Sequence, residues 1–88
     1  MERIVTVVPE AGLHARPASK FVETANEYDC DLEIGPEDGR LVDARSMLAV
    51  TGLNVQSGER VRLVAEGDDG EAALDALEAV LSTEELEE

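Results

Sequence analysis

Residues 60–66, Arg-Val-Arg-Leu-Val-Ala-Glu, place apolar side chains at every second position. Such alternation marks a strand with one face in a core and the other toward water. Val61, Leu63 and Ala65 fall on one side, with Arg60, Arg62 and Val64 on the other. A chain holding this strand must build a sheet and cover one of its faces. Its 88 residues allow one modest core, so a single layer of helices on one sheet is the natural architecture. Aromatic residues make up 2% of the chain, Phe21 and Tyr28 alone, so Val, Leu, Ile and Ala must fill that core.

The remaining segments fit this frame. Residues 4–8, Ile-Val-Thr-Val-Val, read as a first strand with Val5 and Val7 inward. Pro9 and Gly12 close it. From Pro17 the period changes, and Ala18, Phe21, Val22, Ala25 and Tyr28 trace one helical face. Two extended stretches, residues 30–35 and 40–44, flank the turn signal Pro36 to Gly39 and make a hairpin. Residues 46–53 read as a short helix capped by Ser46. The strand at 60–66 follows. Asp68 and Glu71 then stand at capping-box spacing before a helix striped by Ala73, Leu74, Leu77, Val80 and Leu81. The order is βαββαβα. The expected fold is α+β, an open-faced β-sandwich whose four-stranded antiparallel sheet is covered on one face by three helices. Residues 1–88 are taken as one domain, with an acidic tail at 84–88 expected to fray.

Charge narrows the function. The formal charge is −14, from 21 acids against seven Lys and Arg, and Lys20 is the sole lysine. This surface repels phosphate backbones and anionic lipids, which argues against nucleic-acid and membrane partners. Spread acidity with so little lysine is the composition of proteins that work in high salt, where screening relieves self-repulsion. Cys30 stands alone, so neither an intrachain disulfide nor a cysteine metal cluster forms. With no signal-like or membrane-spanning run, a cytoplasmic location is expected.

The chemistry gathers at residues 12–18, Gly-Leu-His-Ala-Arg-Pro-Ala, which carry the one histidine of the chain. Pro17 suits the first turn of a helix and biases Arg16 away from helical angles. A helix start offers N–H groups and a partial positive charge to an anion. His14 lies at that mouth, and Arg16 reaches the same point. A neutral imidazole nitrogen is a nucleophile near pH 7. Once phosphorylated it would carry a charge of about −2, steadied by Arg16 and the backbone donors of Ala15, Arg16 and Ala18. Spacing alone leaves a plain surface or capping role for His14 equally open. One His and one distant Cys do not assemble a metal site, and Ser19 and Ser46 lack the partners of a hydrolytic triad.

The stretch Gly12–Ala18, together with Arg45–Val55 (Arg-Ser-Met-Leu-Ala-Val-Thr-Gly-Leu-Asn-Val) at this separation, resembles the HPr family. These are the histidine-containing phosphocarriers of the phosphoenolpyruvate-dependent phosphotransferase system. The resemblance spans essentially the whole chain. It implies a stoichiometric carrier with no turnover and no cofactor of its own. Enzyme I hands a phosphoryl group from phosphoenolpyruvate to Nδ1 of His14, and an enzyme IIA domain receives it for sugar uptake. Arg16 matches the arginine that assists phosphate. Ser46 matches a position that an HPr kinase modifies in many relatives. Met47, Leu48 and Thr51 match the exposed docking patch, and Leu13, Lys20 and Arg45 are expected to border it. Many relatives carry basic residues on the first helix, whereas Glu23, Asn26 and Glu27 stand here. Two alternatives remain on the same residues. One is a carrier for a dihydroxyacetone kinase subunit or a nitrogen-type relay. The other is a regulatory binding module switched at Ser46. A monomer is expected, since a carrier must visit several partners.

Overall fold

The computed structural model describes residues 1–83, so the expectation for the tail at 84–88 lies outside the described residues. Seven elements follow in the order β1 (Glu2–Thr6), α1 (Ala15–Ala25), β2 (Asp31–Pro36), β3 (Val42–Asp43), α2 (Met47–Gly52), β4 (Arg60–Glu66) and α3 (Gly70–Ser82). The strands form one four-stranded sheet in the order β1-β4-β2-β3, antiparallel at every pairing. This is the expected open-faced α+β arrangement.

Strand β4 lies in the middle and does what its alternation requires. Val61, Leu63 and Ala65 are buried, while Arg60 and Glu66 are exposed and Arg62 and Val64 half-buried. Val61 sits opposite Val5 of β1, and Leu63 and Ala65 opposite Ile34 and Leu32 of β2, so one continuous apolar face results. Phe21, Ala18 and Ala25 of α1 and Ala73, Leu74, Leu77 and Leu81 of α3 complete the core. α1 packs on α3, α3 on β1 and β4, and α2 on α1 and β3.

Boundaries differ from expectation where loops compete for the backbone. β1 runs from Glu2 to Thr6 rather than over 4–8. The Val7 N–H goes to the Glu59 carbonyl and the Val8 N–H to that of Leu81, so the chain leaves the sheet there. Inward-facing Val5 and Val7 are nonetheless buried as the alternation demands. β3 contracts to two residues. The expected capping box at Asp68 and Glu71 is replaced by an N-cap at Asp69 that makes no side-chain cap bond. Its carboxylate is used elsewhere, accepting the Asp29 N–H at 3.2 Å and the thiol of Cys30. Ser46 caps α2 as expected, its Oγ accepting the Ala49 N–H at 3.1 Å.

Candidate functional site

His14 is the N-cap residue of α1, with extended angles of φ −135° and ψ 166°, and its side chain makes no cap hydrogen bond. The imidazole is half-buried beside exposed Ala15 and Arg16. Ala15 has φ +51°, left-handed backbone in a residue with a β-carbon. Such a conformation costs about 1–3 kcal/mol and persists only where its surroundings impose it. Pro17 and Ala18 are buried, which seats the first turn of α1 in the core.

The strain at Ala15 is held from the loop before it. Gly12 N–H donates to the Pro9 carbonyl at 2.8 Å, closing a turn, and Leu13 N–H donates to the Val55 carbonyl at 3.0 Å. Gly12 has φ +77°, and a β-carbon there would lie 2.5 Å from the same Val55 oxygen. The Leu13 side chain is fully buried. His14 is thus mounted on a loop anchored by a core leucine and clamped to the turn after α2. That turn has its own left-handed residue, Asn54 at φ +58°. Gly12, Val55 and Asn54 were not among the expected site residues. An Asn just past a short apolar helix is a recognisable signal for a left-handed helix end.

One expectation for the phosphate-binding groups needs correction. Ala18 N–H forms the first rung of α1, donating to the His14 carbonyl at 3.4 Å, so it is not a donor for an anion. Pro17 has none to give. The N–H groups of Ala15 and Arg16 precede the first rung, the position from which a helix start offers donors to an anion. Arg16 and Lys20 are exposed, and their four-residue spacing along α1 puts them on one side of it.

The expected partner surface also divides. α2 packs against α1, and it leaves Met47 40% exposed and Leu48 85% exposed while burying Val50. Thr51 is half-buried, its hydroxyl turned back onto the carbonyls of Met47 and Leu48 at 2.8 and 3.3 Å. Leu13 is excluded from this surface because its side chain belongs to the core. Arg45 is excluded for another reason. Its guanidinium donates to the carbonyls of Tyr28 and Cys30, just beyond the far end of α1. An 11-residue helix spans about 16 Å, so this charge stands well away from His14.

The chain matches the family model described as the PTS HPr component phosphorylation site over residues 1–83. The chain belongs to the HPr family. The phosphocarrier protein HPr of Haloferax volcanii is 70% identical over 89 residues, covering 100% of each chain. HPr of Streptomyces coelicolor is 48% identical over 87 residues, covering 99% of this chain and 92% of its own. A crystal structure of HPr from Bacillus anthracis superposes with a TM-score of 0.87 at 37% identity, covering 92% of this chain and 95% of that one. The protein is therefore a phosphocarrier of the phosphotransferase system and not a catalyst with turnover. Its acid-rich, lysine-poor sequence is that of an HPr from a halophile. Among the described residues no group of three His, Cys, Asp or Glu is placed to hold a metal ion, and no helix is long and apolar enough to cross a membrane.

Proposed function

We propose that His14 is the phosphoryl-carrying residue, loaded at Nδ1 by phospho-enzyme I and unloaded by an enzyme IIA domain of a sugar phosphotransferase system. The N–P bond to the imidazole forms as the bond from phosphorus to enzyme I breaks, and transfer onward reverses this on the acceptor. One observation carries the reading. The single histidine is held at a helix mouth, uncommitted to capping, beside a strained Ala15 and Arg16, whose N–H groups lie ahead of the first helical rung. Donors fixed before the charge arrives stabilise it without reorganising. Arg16 adds a guanidinium suited to phosphate geometry. Partners dock on α2 through Met47 and Leu48, with Lys20 at the border, and the carrier acts as a cytoplasmic monomer.

The test is transfer of labelled phosphate from phosphoenolpyruvate through cognate enzyme I at high salt. Label on this chain that is acid-labile and alkali-stable, and absent from His14→Ala, supports the reading. Label that persists in His14→Ala overturns it. Ser46 is used as a cap, its Oγ on the Ala49 N–H, and that role alone accounts for a serine there.

A further inference from the structure

α2 has six residues and one fully buried side chain, Val50. So short a helix is marginal by itself, and its direction is set by the turn that enters it. That turn is fastened at three successive residues. The Asp43 carboxylate accepts the Arg45 N–H at 2.9 Å, and the Asp43 carbonyl accepts the Ser46 N–H at 3.2 Å. The Ala44 N–H reaches β2 at the Leu32 carbonyl, 3.0 Å away. Arg45 then sends its side chain to the segment between α1 and β2. One terminal nitrogen donates to the Tyr28 carbonyl and, at 2.7 Å, to that of Cys30. Bonds from a charged donor are among the stronger ones, and these are half-buried. Ser46 and its cap on α2 follow directly, and Met47 and Leu48 come next.

We infer that Arg45 is a positioning residue for docking. Through Tyr28 and Cys30 it sets the angle at which α2 presents Met47 and Leu48, and it acts on the partner through that helix rather than by touching it. The inference rests on the reading that partners dock on α2. A neutral side chain at this position leaves two carbonyls without their donor and frees the entrance of α2 to pivot about Val50.

The experiment measures KM and kcat for this carrier as the substrate of its cognate enzyme I. It compares the parent with Arg45→Ala, Arg45→Lys, Leu48→Ala and the Arg45→Ala/Leu48→Ala double variant, each first shown to be folded by circular dichroism. Arg45→Ala is expected to raise KM about tenfold with kcat little changed, and the double variant to exceed Leu48→Ala by much less than that factor, as coupled positions do. Arg45→Lys, whose ammonium ends a long stem with several donors, is expected to restore most of the KM. Arg45→Gln, whose amide lacks the reach for both carbonyls, makes the same comparison if Arg45→Ala does not fold. Three results overturn the inference while leaving docking on α2 intact: an unchanged KM in folded Arg45→Ala, a loss in kcat alone, or multiplying KM effects in the double variant. An unchanged KM in Leu48→Ala overturns the docking reading itself and the inference with it.

Discussion

The Leu13 N–H donates to the Val55 carbonyl at 3.0 Å, tying the loop that carries His14 to the turn that follows α2. Gly12 makes this approach feasible, because a β-carbon there would sit 2.5 Å from the Val55 oxygen. The loop that carries His14 and helix α2 therefore share one support.

Substituting Gly12 tests that support. Gly12→Ala adds the overlap and places an alanine at φ +77°, which by itself costs about 1–2 kcal/mol. We expect a lower denaturation midpoint and a rate of loading from enzyme I reduced about 10- to 100-fold, since His14 lies two residues on and small displacements are costly to transfer. Gly52 supplies the contrast, because a β-carbon added there meets nothing within 4 Å. Gly52→Ala should leave loading unchanged and stability equal or slightly raised. Equal effects of the two variants would show that the Gly12 contact is unimportant.

Leu13 stands next to His14, yet its side chain faces the core and is 0% exposed. Leu13→Ala is expected to lower the unfolding free energy by about 2–5 kcal/mol, the range for truncating a buried leucine. Leu48→Ala, at 85% exposure, should stay within about 0.5 kcal/mol of the parent. Urea titrations in high salt decide between them. A Leu13 variant as stable as the Leu48 variant would mean that the loop closes without its anchor.

What could be read ahead of the structure follows from how local each signal is. The alternation at 60–66 needs no partner to be recognised, and Val61, Leu63 and Ala65 are all buried. The Ser46 cap is likewise local, since its acceptor and donor lie three residues apart. The spacing of His14, Arg16 and Pro17 marked the helix mouth to within two residues, although α1 starts at Ala15 and Pro17 does not keep Arg16 out of it. Leu13 was misjudged because a loop has no period, and an apolar side chain in it shows no direction. Arg45 was misjudged because its partners are backbone carbonyls at Tyr28 and Cys30, which every sequence supplies everywhere. Asp69 was missed as the cap of α3 because its carboxylate is used across the fold, at Asp29 and Cys30.

That last contact sets a pH dependence. Burial, and then the hydrogen bond to Asp69, push the Cys30 thiol above its ordinary value of 9.0. Below that value the thiol is protonated in both folded and unfolded chains, so its contribution to stability is complete. Above it the unfolded thiol ionises first, and the contribution is lost as pH rises toward the folded value. The loss proceeds at up to about 1.4 kcal/mol per pH unit. Cys30→Ser removes this slope, so the stability difference between parent and variant should narrow as pH rises above 9.0. The Asp69 carboxyl is held below its ordinary 3.8, chiefly by the Cys30 thiol and next by the Asp29 N–H. Its contribution is present above that value and is lost as pH falls through the folded one. A parent-minus-variant difference that stays flat above about pH 9 would be at odds with a buried, protonated Cys30.

The open face of the sheet explains where salt should act. β2 places Asp31 opposite Glu66 of β4, and Glu33 opposite Asp43 of β3. All four side chains are exposed, so two like-charged pairs stand side by side on the water-facing surface of a chain already at −14. Like charges directly opposite on neighbouring strands each cost about 0.2–1 kcal/mol when unscreened. Screening shortens from about 10 Å at 0.1 M salt to about 3 Å at 1 M, which removes most of that cost. The melting temperature is therefore expected to rise with potassium chloride over this range. Glu33→Gln relieves one pair and should raise the melting temperature most at the low-salt end, leaving a shallower salt dependence. At 2 M salt the variant and the parent should melt together. A Glu33→Gln curve parallel to the parent's at every salt concentration would place the repulsion elsewhere on the surface.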